Sequence, residues 1–370
     1  MTWLDDVPAR IGPLDATATA AAAARLDRLT KPPGSLGRLE ALARQLAGIT
    51  GLERPRVDHP AIVVFAADHG VTAQGVSAYP SDVTAQMVAN FVGGGAAINV
   101  LGSLAGAEVV VVDVGVAGPV PGLDSGTTSS PLGARLVRTR VADGTRDMTV
   151  EPAMTKAEAT TAIGVGRSAA SELIGGGVDL LAVGEMGIGN TTAASALAAV
   201  MTGRPPAEVT GRGTGLDDPA VRHKVLVIER ALDLHRPDPA DPLAVLAAVG
   251  GLEIAALVGA ILAIAEARVP VVLDGFITGA AALIAAALAP AVPARLIASH
   301  TSAEPGHRFV LEQLGLRPLL DLELRLGEGS GAALALPLVR AAASILAEMA
   351  TFDDAGVSGP QGAIEAPSVR

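Results

Sequence analysis

Residues 178–200 read VDLLAVGEMGIGNTTAASALAAV. The first part is an apolar run of strand length, glycines at 184, 187 and 189 punctuate the middle, and the rest is alanine-rich and long enough for a helix. A strand, a glycine-punctuated turn and a helix in direct succession form the repeating unit of an α/β sheet. The helix is expected to start with Asn190, Thr191 and Thr192. Its free N–H groups and the positive end of its dipole make such a start an anion site, although an ordinary N-cap accounts for Asn or Thr there equally well.

Four further runs share this character: AIVVFAAD (61–68), AEVVVVDVG (107–115), VPVVLDGF (269–276) and RLIASH (295–300). Runs apolar on both faces that alternate with helices predict an open, mostly parallel, Rossmann-like sheet covered by helices on both sides. Each run ends in polar residues: Asp68-His69-Gly70, Asp113-Val114-Gly115, Glu185-Met186-Gly187, Asp274-Gly275 and Ser299-His300. Ligands of open parallel sheets bind outside the carboxyl ends of the strands, so one edge of the sheet is marked as the active edge. The plainer alternative is that these acids cap the helices that follow. Both chain ends read as Ala-rich helix. The expected division is a large α/β domain over residues 59–330 and a small helical domain from residues 1–58 with 331–370.

Half of the residues are hydrophobic and only 2% aromatic, with 43 glycines, so the core is built mainly from Ala, Leu, Val and Ile. A net charge of −11 without a Lys/Arg cluster argues against a general field for nucleic acid or an anionic membrane. The chain has no cysteine, hence no disulfide, thiol nucleophile or thiolate metal site, and a reducing, cytoplasmic setting is expected. The start MTWLDDVPAR lacks the basic and long apolar regions of a signal peptide. Residues 275–294 run without a charge for about a bilayer's thickness. They are rich in Ala and Gly and interrupted by two prolines, which favours a buried crossover helix over a span.

The loop GRGTGLDDPA (211–220) alternates Gly211, Gly213 and Gly215, a pattern for a backbone nest, with Lys224 nearby as a point charge for phosphate. A lone lysine is more often a solvated surface residue. The segment 187–192 misses the dinucleotide pattern at Thr192, no Walker lysine follows, and neither a zinc-protease histidine spacing nor a serine-hydrolase elbow occurs. His300, Glu304 and His307 lie within SHTSAEPGH (299–307), and a metal site there is not expected. VVVVDVGVAG has one acid where diphosphate-binding phosphoribosyltransferases carry an adjacent pair, so a donor with a single phosphate fits better. A further acid, Glu328, stands among glycines at 327, 329 and 331 in LRLGEGSGAALALPLV (324–339).

The motifs KPPGSLGRLE, ADHGV, GEMGIGNTT, VLDGF, SHTSAEPGH and LRLGEGSGAALALPLV occur in this order between residues 31 and 340. In that set the chain resembles the nicotinate-nucleotide:dimethylbenzimidazole phosphoribosyltransferases. The resemblance implies transfer of phosphoribose from nicotinate mononucleotide to 5,6-dimethylbenzimidazole or a related base, without metal or other cofactor, by a homodimer whose small domain combines both chain ends. It implies Glu328 as the catalytic base, its proton affinity raised by burial against Leu326 and the aromatic acceptor. Glu185 and Met186 fall beside the ribose, and Gly187, Asn190, Thr191, Gly213 and Lys224 at the nucleotide and its phosphate. GVSAYPSDVTAQMVANF (75–91) matches the acceptor wall, with Tyr79, Gln86 and Met87 as candidates. Two other readings stay open: a phosphoribosyltransferase for another base or a diphosphate donor, and a non-catalytic nucleotide-binding protein on the same scaffold.

Overall fold

The structure, a computed structural model, describes residues 3–122 and 132–358. Six strands make one sheet: β1 (Pro60–Ala67), β2 (Glu108–Gly115), β3 (Arg135–Arg138), β4 (Leu180–Met186), β5 (Val271–Leu273) and β6 (Leu296–Ala298). Their order is β3-β2-β1-β4-β5-β6, and every pairing is parallel. The five apolar runs are all strands, and β1 is buried along its whole length, as a central strand covered on both faces requires. The sequence reading missed β3. Its four residues begin and end with exposed arginines and are only half-buried between, the character of a charge-blunted edge strand.

Parallel pairing brings all strand ends to one edge. The chain leaves β1 toward β2 on one side and later places β4 on the other side of β1. The order therefore reverses between β1 and β4, where an open sheet forms its crevice. Asp68-His69 and Glu185-Met186 flank that point.

Helix Leu252–Glu266 is buried along almost its full length. It lies close on helix Lys156–Gly175, because a side chain at Gly166 would collide with the Ala256 backbone and one at Gly259 with the Ile163 backbone. Replacing Gly259 by Val forces two backbones apart. The expected loss is about 1–3 kcal/mol of stability, read as a lower Tm or denaturation midpoint; an unchanged midpoint would show that the helices do not need this approach. The uncharged segment near residue 275 forms helix Phe276–Leu288, whose residues are mostly buried in the protein. Two other helical stretches, Val83–Ala105 and Ser330–Glu348, are long and apolar enough to cross a bilayer by length and composition. The first is divided at Gly94, a left-handed C-cap, and 56% of the second's apolar window is buried.

The described residues divide into two compact units, residues 3–13 with 57–122 and 132–337, and residues 14–56 with 338–358. Residues 3–13 thus go with the larger unit, where Trp3 Nε1 donates to Glu266 Oε2 at 2.8 Å and Arg10 pairs with Glu266 at 3.1 Å. Within the smaller unit both chain ends meet: the buried Arg25 guanidinium donates to the carbonyls of Leu346 (2.6 Å) and Met349 (3.1 Å), a cation at a helix C-terminus. KPPGSLGRLE contributes the Lys31–Glu40 ion pair of that unit, at 2.7 Å and almost fully buried.

Candidate active site

Two glycine-flanked acids meet by reciprocal accommodation. Gly184 of β4 faces the backbone of Glu328 and Gly329 so closely that a side chain there would overlap it. Gly327 faces the Glu185 carboxylate, which leaves no room for a side chain on that side either. Each acid thus stands against a glycine of the other motif. Asn190 Nδ2 donates to Glu185 Oε2, so this side chain at the start of helix Asn190–Thr202 orients the carboxylate.

Gly327, Glu328 and Gly329 are all left-handed, at φ 86°, 65° and 88°. Glu328 adopts that conformation at a cost of about 1–2 kcal/mol, the kind of strain that persists only where neighbours enforce it. Its side chain is 6% exposed and its Oε2 has no hydrogen-bond partner. Burial pushes its carboxyl up to about 7 against the pull of the Ile98 N–H, and the Asp274 carboxylate adds to the rise. The expectation that Leu326 supplies this burial is corrected, for Leu326 is 57% exposed. Ile62 and Ile98 approach the neighbouring Gly329 from the sheet and helix side. Glu185 is raised well above the ordinary carboxyl value by burial and then by its neighbours Asp274 and Glu253.

The glycine loop and the lysine meet as the spacing suggested. Lys224, on helix Asp218–His235, is 0% exposed, which removes the surface-lysine alternative. Its Nζ donates to Thr191 Oγ1 at 2.6 Å. A side chain at Gly213 would meet both Thr191 Oγ1 and Lys224 Nζ, so Gly213 is what lets this loop close on them. Burial lowers the Lys224 ammonium to about 8, with the Glu304 carboxylate opposing. Glu304 turns to the glycine loop and away from a union with His300 and His307: its Oε1 accepts from Gly213 N at 2.8 Å, while its Oε2 is buried without a partner. Arg325, which the sequence reading passed over, donates to Gly213 O at 3.3 Å.

The acceptor-wall candidates form a looser group. Tyr79 is 54% exposed, Gln86 is exposed and Met87 is half-buried. Their segment is tied to the glycine loop, since Ala78 N donates to Thr214 Oγ1 at 3.1 Å. It is tied to the turn after β4 as well: Ile188 N donates to Thr84 Oγ1 at 3.1 Å. Met186 and Gly187 lead into that turn, with Gly187 packed against the Ala67 carbonyl and the His69 ring.

The remaining edge acids divide between the two readings offered for them. Asp113 is structural: it accepts from Val116 N at 2.9 Å and pairs with Arg140 at 3.2 Å. Asp274 holds the backbone beside Glu328. His69 and Glu253 form a buried pair at 2.7 Å, joined across a sequence distance that no motif spans. Burial lowers His307 to about 3 and holds His300 below its usual value. Among the described residues no cluster of three His, Asp or Glu side chains has metal-binding geometry.

The family model described as "Phosphoribosyltransferase" matches residues 11–357 of the chain. The protein named nicotinate-nucleotide–dimethylbenzimidazole phosphoribosyltransferase in Roseiflexus sp. (strain RS-1) is 58% identical over 359 residues, 97% of this chain and 99% of the relative. Its namesake in Chloroflexus aggregans (strain MD-66 / DSM 9485) is 59% identical over 358 residues, again 97% and 99%. The crystal structure of CobT from Thermus thermophilus superposes with a TM-score of 0.86 at 51% identity, covering 92% of this chain and 99% of that one.

Proposed function

We infer the chemistry of this site from one premise: the chain belongs to the nicotinate-nucleotide–dimethylbenzimidazole phosphoribosyltransferase family. It is a phosphoribosyltransferase that moves phosphoribose from nicotinate mononucleotide to 5,6-dimethylbenzimidazole, giving α-ribazole 5′-phosphate and nicotinate, the step that builds the lower ligand of cobalamin. A ring nitrogen of the benzimidazole attacks the anomeric carbon with inversion. The bond to the pyridinium breaks, and its electron pair neutralises the ring's positive charge, so the leaving group needs no proton. The proton that must go is the N–H of the acceptor's other nitrogen, which becomes acidic as the first nitrogen is alkylated.

Glu328 takes that proton. The observation that carries this reading is its buried, unpartnered Oε2, on the residue that follows the Gly327 seat of the Glu185 carboxylate, because a general base needs a free oxygen in a dry place and an affinity near the working pH. Glu185, oriented by Asn190, is raised well above the ordinary carboxyl value by burial and its acidic neighbours, and so stands beside the ribose as a hydrogen-bonding carboxyl group. The donor phosphate goes to the cradle of Gly213, Thr191 and Lys224, with Gly187 lining the path between phosphate and ribose. Arg325 stands at the same loop through its bond to Gly213 O. The flat acceptor lies against Glu328, with Leu326, Met87, Gln86 and Tyr79 as its wall.

The exposure of Leu326 and Tyr79 favours a wall that tolerates related aromatic bases as well. The family resemblance also implies a homodimer, to which the exposed Val100 and Leu104 of helix Ala97–Ala105 offer an apolar face. The cysteine-free chain suits a cytoplasmic enzyme. The test is direct: incubate the purified protein with nicotinate mononucleotide and dimethylbenzimidazole in the presence of a chelator, and separate the products. Release of nicotinate with formation of α-ribazole 5′-phosphate is expected. Neither product, with dimethylbenzimidazole or any of several related bases, would overturn the reading.

A further inference from the structure

The turn that carries Glu328 is held by an acid from far along the chain. Asp274, directly after β5, accepts from Gly329 N at 3.1 Å through Oδ2, and from Gly331 N at 2.7 Å and Ala332 N at 3.0 Å through Oδ1. Those amides open helix Ser330–Glu348 and have no partner within it. Asp274 does for them what an N-cap side chain does, but from 55 to 58 residues away. A local cap would leave the helix start free to shift against the sheet. This remote one fastens it to the end of β5. The three left-handed residues 327–329 lie between that fastening and the Gly184 seat on β4, and Ser330 Oγ closes the turn by donating to Gly327 O at 2.7 Å.

We propose that Asp274 is the positioning residue for the proton-accepting carboxylate, its three amide bonds holding Glu328 at the height and angle from which Oε2 meets the acceptor. The proposal rests on the reading of Glu328 as the base. Asp274 also acts on Glu328 as a neighbouring negative charge. The other titratable groups around the pair are Glu185 at the end of β4 and His300 after β6, whose Nδ1 is 4.0 Å from Asp274 Oδ1. Burial keeps His300 from protonating readily, and it raises Asp274 itself to about 7 against the pull of its three amide partners.

Asp274→Asn keeps the shape but turns one acceptor into a donor and removes the charge. The expected result is a kcat about 10- to 100-fold lower, the scale of a misplaced reacting group, with the donor KM nearly unchanged. The acid limb of the kcat/KM–pH profile becomes a single titration and moves to lower pH, because Asp274, itself raised to about 7 by burial, no longer titrates beside Glu328. A merely structural role would move neither the limb nor the kcat-to-KM balance in this way. In the Glu328→Gln background, adding Asp274→Asn should cause no further loss of kcat; a further loss would overturn the proposal by showing that Asp274 acts through something else. If Glu328→Gln removes turnover while Asp274→Asn leaves kcat and the acid limb as in the parent, this proposal fails and the base reading stands. If Glu328→Gln itself has no effect, the base reading fails, and the proposal with it. Asp274→Ser, small enough for water to fill the carboxylate's place, carries the same expectations should the Asn variant not fold.

Discussion

Glu328→Gln should abolish most of the turnover, lowering kcat by about 10²- to 10⁴-fold, the usual contribution of a positioned general base. The substitution is chosen for what it leaves alone. Glutamine has the same length, meets the same left-handed backbone cost, and keeps a carbonyl oxygen for the Ile98 N–H that now points to the carboxylate. What disappears is the ability to accept a proton. The donor KM should stay near the parent value, because the phosphate cradle around Gly213 and Lys224 is untouched, and loss of kcat without a change in KM identifies an interaction made in the transition state. The pH profile gives an independent check. The proposed base works deprotonated, and burial raises Glu328 to about 7, so the parent kcat/KM should fall as pH drops through about 7 while the Gln variant's residual rate shows no such limb. Equal turnover for parent and variant in a steady-state assay would return Glu328 to an ordinary loop acid.

Much of this site is legible in the sequence because each half of it is local. An apolar run that ends in Gly-Glu, or a carboxylate set among three glycines, announces a strand end or a thinned loop from its own neighbours. The joining of the halves has no such signal. That Gly184 seats the backbone of residues 328–329 while Gly327 seats the Glu185 carboxylate follows only once β4 and the turn before helix Ser330–Glu348 are packed together. The same holds for Asp274. Its place at a strand end is visible, but its partners are amides 55 to 58 residues on, and no periodicity encodes that distance. Glu304 is visible only as one member of a possible histidine cluster, and its bond to Gly213 N shows it serving the glycine loop. β3 escapes because an edge strand with a charge at each end lacks the apolar run by which its neighbours are found. Leu326 misleads in the opposite direction: an apolar residue beside a buried acid invites the inference that it buries it, yet the chain reverses at Gly327 and Leu326 stays outside.

Lys224→Met should raise the donor KM by about 30- to 100-fold, roughly 2–3 kcal/mol, at the lower end of what removing one partner of a buried charged contact costs. Methionine fills the space of the lysine stem, so packing of the fully buried side chain on helix Asp218–His235 is largely kept. The bond to Thr191 Oγ1 and the positive charge are lost together. The loss is larger than one phosphate contact because the Glu304 carboxylate shares the cradle, on Gly213 N. With Lys224 in place the two anions face a common cation; without it an incoming phosphate meets an uncompensated carboxylate. kcat should change less than KM, since the phosphate keeps its position as the ribose reacts and its contacts stabilise ground and transition states alike. Arginine is a poor rescue, because its planar fork is wider than the ammonium that Gly213 and Thr191 enclose. On the proposed reading Lys224 binds the phosphate as a cation, and burial lowers it to about 8. The donor KM should therefore rise as pH climbs above about 8, and the Met variant's should not. Initial rates over donor concentration across that pH range measure both effects, and a KM that Lys224→Met leaves unchanged would place the donor phosphate elsewhere.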